Sequence, residues 1–160
     1  MQIPPWKYDF TFSQDPAVEN HYPTMDLDYI KKLPVPATED SILYLWTPAT
    51  KLEDALHVMK SWGFRCGTNM VWIKDWIGPR YYVRIRHELL LIRIKGNFGT
   101  PDERSRPDSV IEAPRRQHSQ KPDIFYELIE KSYPKHSKME MFARNKREGW
   151  QAWGNETQQF

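Results

Sequence analysis

Ile42-Leu43-Tyr44-Leu45-Trp46 places five apolar residues in a row. A run this short, with no polar alternation, is the mark of a strand covered on both faces, as inside an α/β sheet. Downstream, Leu52, Ala55, Leu56, Met59 and Trp62 recur at helical spacing, which predicts a helix over residues 48–62 with Gly63 as its stop. Residues 64–74 read as a second strand, and His87-Glu88-Leu89-Leu90-Leu91-Ile92-Arg93-Ile94 as a third.

The flanking segments extend the same alternation. Residues 7–24 are polar, contain Asp15-Pro16 and read as a loop; Thr24 is placed to cap a short helix over 25–32 that ends before Pro34. Trp76-Ile77-Gly78-Pro79-Arg80-Tyr81-Tyr82 reads as a loop, and so does the long stretch 95–108. Long loops in compact domains often carry function. A short strand is expected at 109–112. A helix over 122–132 starts near Pro122 with Asp123 in its first turn, and a last strand covers 138–143. Strands alternating with helices predict an α/β sheet with helices on both faces. In such sheets ligands bind at the carboxyl ends of strands, near the point where strand order reverses.

Bulk composition narrows the classes. The chain has 160 residues, 39% hydrophobic and 14% aromatic, enough for one domain with a real core and unlike a disordered segment. A formal net charge of +2 does not by itself imply a polyanion partner. Cys66 is the only cysteine, so no intrachain disulfide is expected, which fits a reducing compartment. No apolar run reaches membrane-spanning length and no signal-peptide pattern opens the chain, so a cytoplasmic protein is the expectation. His21, His57, His87, His118 and His136 are scattered without ligand spacing, so no metal site is expected.

The chain opens with Ile3-Pro4-Pro5-Trp6. Each proline fixes its own φ and pushes the preceding residue toward extended geometry, making a stiff loop tipped with an indole. By itself this reads as a surface turn with a half-buried tryptophan. It is joined by Asn20-His21-Tyr22-Pro23-Thr24-Met25, Trp62-Gly63-Phe64, Val71-Trp72-Ile73-Lys74, Lys95-Gly96-Asn97 and Ser119-Gln120-Lys121-Pro122-Asp123. The chain closes on Lys138-Met139-Glu140-Met141-Phe142-Ala143-Arg144, Gly149-Trp150 and Trp153-Gly154-Asn155-Glu156. In this order and spacing the blocks resemble the MT-A70 family of S-adenosylmethionine-dependent adenine-N6 methyltransferases, from Ile3 to Glu156. One position departs: the family's loop reads Asp-Pro-Pro-Trp, and here Ile3 stands where the family has the acid.

The resemblance implies a Rossmann-like methyltransferase sheet with the base-binding loop N-terminal and the cofactor strand C-terminal. It implies one MT-A70-like domain over 1–160. That domain is expected to lack the family's first strand, since only Met1 and Gln2 precede Ile3. S-adenosyl-L-methionine is the implied cofactor. Lys121 would meet its methionine carboxylate as a point charge, Glu140 would accept from its ribose hydroxyls, and Phe142, Arg144, Asn145, Asn155 and Glu156 would surround its ribose and adenine. Pro4, Pro5 and Trp6 form the implied catalytic loop, with the Pro4 carbonyl accepting a hydrogen bond from the adenine amine and Trp6 shaping the base pocket. Tyr8, Asn20 and Tyr22 lie on the implied substrate side.

Arg80, Arg84, Arg86 and Arg93, the first of them interleaved with Trp76, Tyr81 and Tyr82, suit phosphate contacts and base stacking, as do Arg104, Arg106, Arg115 and Arg116 in and around the second loop. Because overall charge is nearly balanced, a basic rim here requires acids segregated elsewhere. The implied substrate is adenine in nucleic acid, DNA favoured over RNA, with a protein partner or homodimer left open and a cytoplasmic or nucleoid-associated location. Ile3 can neither accept a hydrogen bond nor carry charge, so weak or absent turnover is expected. The competing reading is a catalytically inactive nucleic-acid-binding or partner subunit of the same family.

Overall fold

The computed structural model describes residues 25–77, 82–117, 120–143 and 145–154, with Cys66 described by its backbone alone. In chain order the elements are α1 (Leu27–Lys31), β1 (Ser41–Pro48), α2 (Leu52–Ser61), β2 (Arg65–Ile73), β3 (His87–Lys95), β4 (Val110–Glu112), α3 (Ile124–Ser132), β5 (Lys138–Met141) and β6 (Trp150–Trp153). Four strands form a mixed sheet in the order β1-β3-β2-β4, and β5 pairs with β6. β3 is antiparallel to both β1 and β2, so those two run the same way with β3 between them. β4 joins the far side of β2 in parallel. β5 and β6 are also parallel. This is the α/β architecture expected from the strand and helix pattern, consistent with the Rossmann-like methyltransferase fold.

Side chains of a strand alternate between faces, and the continuous apolar runs therefore feed two layers. Leu43 and Leu45 of β1 and Leu91 of β3 pack with Ile30 of α1 and Ala55, Val58 and Met59 of α2. Tyr44 and Trp46 of β1 and Leu90 of β3 turn the other way, onto Met70, Trp72 and the α3 residues Phe125 and Leu128. In the β1–β3 register Leu45 sits opposite Leu91 and Trp46 opposite Leu90, so neighbouring pairs serve opposite layers. A large aliphatic side chain fully buried this way contributes roughly 1.5–3 kcal/mol. The Trp62 indole Nε1 donates to the Ile30 carbonyl at 3.1 Å, tying α2 to α1.

Several boundaries differ from the sequence expectation. The predicted helix over 48–62 starts only at Leu52; Pro48 closes β1, and Ala49–Lys51 form a 3-10 turn. Proline has no N–H to give a ladder but suits a strand end leading into a helical turn. The α1 cap is Asp26, whose side chain accepts from the Asp28 N–H at 2.8 Å; Thr24 lies outside the described residues, as does the expected 7–24 loop. The last strand stops at Met141 because Phe142 adopts φ 59. The long loop 95–108 contains a short 3-10 turn, Glu103–Ser105, capped by Asp102. β6 was not predicted. β2 carries a bulge at Gly67, φ 147, where a Cβ would run into the Ile92 carbonyl.

Candidate active site

The first turn of α3 connects two charged clusters. On one side is Lys121, just ahead of the buried Pro122. Its ammonium donates to Glu88 Oε2 at 2.6 Å, and Lys74 Nζ donates to Glu88 Oε1 at 2.5 Å. Glu88 stands opposite Trp72 in the β2–β3 pairing, which explains how Lys74, two residues on, reaches it. The Lys121 ammonium lies 5.4 Å from the Trp46 ring and 5.8 Å from that of Trp72, within cation–π range. Only 10% of the Lys121 side chain is exposed. Burial would raise the Glu88 carboxyl, but the ammonium groups of Lys121 and Lys74 outweigh it and hold the group below the ordinary carboxylate range. Two cations share one anion, so the cluster keeps one net positive charge.

On the other side is Glu140 of β5, 8% exposed. Tyr126 Oη donates to Glu140 Oε1 at 2.7 Å. The Tyr126 ring meets the Trp150 indole edge-on at 5.3 Å, and the Arg147 guanidinium lies 5.0 Å over it. Both of those residues are fixed by Glu130. Arg147 donates to its two oxygens at 2.6 and 3.0 Å, and Trp150 Nε1 donates to Oε1 at 2.7 Å. The hydrogen bond from Arg147 holds the Glu130 carboxyl below its ordinary value. Consecutive helical residues point about 100° apart. Phe125 accordingly packs on Trp46 at 4.7 Å, beside the lysine cluster, while Tyr126 reaches Glu140.

Past β5, Phe142 takes the left-handed conformation, which costs a non-glycine residue roughly 1–2 kcal/mol. Its ring packs edge-on to Trp153 at 5.2 Å, and the Ala143 N–H donates to the Trp153 carbonyl at 3.1 Å. β6 thereby holds the turn that follows the β5 strand. A cleft of about 240 Å3 opens between the start of β1 and β5, lined among others by Ile42, Tyr44, Tyr133, His136, Met139 and Met141.

Of the residues singled out by sequence, Lys121 is held by Glu88 of β3, Glu140 is held by Tyr126 of α3, Phe142 sits at its strained turn, and Asn145 is exposed beyond it. Tyr82 is fully exposed and Arg84 exposed. Ile3, Pro4, Pro5, Trp6, Tyr8, Asn20, Tyr22, Arg80, Tyr81, Arg144, Asn155 and Glu156 lie outside the described residues. A basic rim requires acids segregated elsewhere, and at Arg115 and Arg116 that condition is not met. Arg115 stacks 4.4 Å from Trp76 and lies 3.7 Å from Asp75, and Arg116 pairs with Asp123. Glu88, Lys74, Tyr126, Glu130 and Arg147 were missed. Glu88 carried a usable signal, an acid inside an otherwise apolar strand, the same signal that singled out Glu140. Among the described residues no group of three or more His, Cys, Asp or Glu side chains could hold a metal ion, and no helix is long and apolar enough to cross a membrane.

Comparison with known proteins gives a family match. The MT-A70 family model matches residues 1–156. The chain is 32% identical over 173 residues to the type II methyltransferase M.MunI of Mycoplasma sp., covering 96% of this chain and 74% of that protein. It is 30% identical over 168 residues to an N(6)-adenosine-methyltransferase MT-A70-like protein of Arabidopsis thaliana, covering 98% of this chain and 23% of the relative. It is 28% identical over 167 residues to the human N(6)-adenosine-methyltransferase catalytic subunit METTL3, covering 98% of this chain and 27% of that one. The chain therefore spans about a quarter of these last two relatives.

Proposed function

The chain belongs to the MT-A70 family, and on that premise we propose that it binds S-adenosylmethionine and N6-methylates adenine in nucleic acid, DNA in preference to RNA, at a rate lowered by Ile3. One observation carries the cofactor reading: a shielded cation, Lys121, held by Glu88 of β3 just ahead of α3, and a buried carboxylate, Glu140, held by Tyr126 in the first turn of α3, flank the start of the same helix. The donor set fits this molecule. The net positive charge left on the Lys74–Glu88–Lys121 cluster suits the methionine carboxylate, and Glu140 suits vicinal hydroxyls of a ribose. When bound, S-adenosylmethionine supplies an electrophilic methyl group on a sulfonium.

This chain's residues would do the rest. Lys121 holds the amino-acid end and Glu140 the ribose, with Phe142, Arg144, Asn145, Asn155 and Glu156 around the nucleoside. Pro4 offers its carbonyl to the adenine amine as that nitrogen becomes tetrahedral, and Trp6 and Tyr22 shape the base pocket. Tyr8, Asn20, Arg80, Tyr81, Tyr82 and Arg84 serve the nucleic-acid strand, the exposed Tyr82 and Arg84 as stacking and phosphate groups. Ile3 offers no acceptor, and a positioned hydrogen-bonding or acid–base group is typically worth on the order of 10²–10⁴-fold.

The preference for DNA rests on extent. The relatives whose names specify adenosine, a ribonucleoside, are those of which the chain covers about a quarter, whereas it covers 74% of the type II methyltransferase. Ile3 also favours a second reading, a non-catalytic nucleic-acid-binding or partner subunit that retains the fold. Calorimetry with S-adenosylmethionine tests the cofactor site. Saturable binding that is lost in both Lys121→Ala and Glu140→Ala is the expected result; no binding by the unmodified chain rejects the reading.

A further inference from the structure

Among the described residues, three partly or fully enclosed glutamates, Glu88, Glu130 and Glu140, are satisfied differently. Glu88 is neutralised by two lysines, one on each oxygen. Glu130 is gripped by a bidentate arginine and an indole. Glu140, the most buried of the three, receives no cation among the described residues. Its hydrogen bond there is the one from the Tyr126 phenol, on Oε1. An ionised carboxylate offers about four lone-pair sites, and buried polar groups are ordinarily satisfied. A neutral phenol donates its one hydrogen to Oε1, takes up one of those lone-pair sites and adds no charge. A vicinal diol, with two O–H donors and no charge, suits such a carboxylate.

We propose that Tyr126 is a positioning residue for Glu140, fixing one carboxylate oxygen so that the other serves the 2′,3′-diol of the bound nucleoside cofactor. This rests on the reading of Glu140 as the ribose acceptor. The phenol is itself aimed by its surroundings: Trp150 abuts its edge, Arg147 covers its face, and Glu130 holds both. Burial and the adjacent Glu140 charge push the Tyr126 phenol well above its ordinary value, so it remains a donor at physiological pH. The chain Glu130–Arg147/Trp150–Tyr126–Glu140 thus orients an acid without neutralising it.

The test is calorimetry with S-adenosylhomocysteine and with its 2′,3′-dideoxy analogue, on the unmodified chain, Tyr126→Phe, Glu140→Gln and the double variant. Phenylalanine keeps the ring and its packing, and a thermal melt checks the fold of each variant. Removing one hydrogen bond of ordinary strength corresponds to roughly 2–12-fold in affinity. Tyr126→Phe is expected to weaken S-adenosylhomocysteine within that range, to leave the dideoxy analogue unchanged within about twofold, and to add nothing on top of Glu140→Gln. Equal weakening of both ligands, as a loosened fold would give, overturns the proposal. No weakening of either also overturns it. If the unmodified chain binds neither ligand, the cofactor reading falls and the proposal with it; binding that Glu140→Gln weakens but Tyr126→Phe does not removes the proposal alone.

Discussion

Lys121 and Glu88 meet at 2.6 Å although 33 positions separate them in sequence, and the meeting point is roofed by the rings of Trp46 and Trp72. The lysine is thus not a flexible surface charge but a cation fixed by a strand carboxylate. Glu88 in turn holds Lys74 on its other oxygen, so one acid organises two cations from separate elements.

Glu88→Gln is expected to destabilise the fold by on the order of 1–3 kcal/mol near neutral pH, because two shielded ammonium groups lose their anion. The pH dependence follows from the sign of the shift. The folded-state pKa of Glu88 lies below its ordinary 4.5, so its contribution is fully present above about that pH and is lost as pH falls through the folded value. Urea denaturation at pH 7 and in steps below pH 4.5 should show the gap between the two proteins closing on acidification. A gap that stays constant would mean the cluster does not stabilise the fold through charge.

Gly67→Ala is expected to cost on the order of 2 kcal/mol or more, since φ 147 disfavours any side chain and the new Cβ meets the Ile92 carbonyl. A urea midpoint unchanged from the unmodified chain would show that the β2 bulge relaxes freely.

The layered fold was legible because its signal is local. Ile42 to Trp46 had to be covered on both faces, and Leu90 and Leu91 do serve opposite helix layers. β6 was not legible: Trp150-Gln151-Ala152-Trp153 is four residues long and only its pairing with β5 makes it a strand. Lys121 and Glu140 could be singled out as isolated charges in apolar or helix-start contexts. Glu88 carried the same signal, an acid in an apolar strand, but its pairing with Lys121, like that of Tyr126 with Glu140 and of Glu130 with Arg147, arises from contacts made across the fold, for which sequence spacing carries no information. The acids paired with Arg115 and Arg116 were hidden for the same reason.

Arg84→Ala is expected to weaken binding to adenine-containing DNA and to reduce the magnitude of the salt dependence by about one unit of slope, the signature of one lost phosphate contact. Arg84 is exposed, and no ion pair with a described residue fixes it, so the melting temperature should not move. Fluorescence anisotropy across a salt series reads both. An unchanged slope would remove Arg84 from the nucleic-acid surface.

Transfer of a labelled methyl group from S-adenosylmethionine to adenine tests the central claim most directly, comparing the unmodified chain with Ile3→Asp on single- and double-stranded DNA and RNA. The expected result is weak or undetectable transfer by the unmodified chain and a rise with Ile3→Asp, on the order of 10²-fold if the loop geometry is held, with DNA the better substrate. Robust turnover by the unmodified chain that the substitution leaves unchanged would contradict the assignment of the missing acid as what limits this protein.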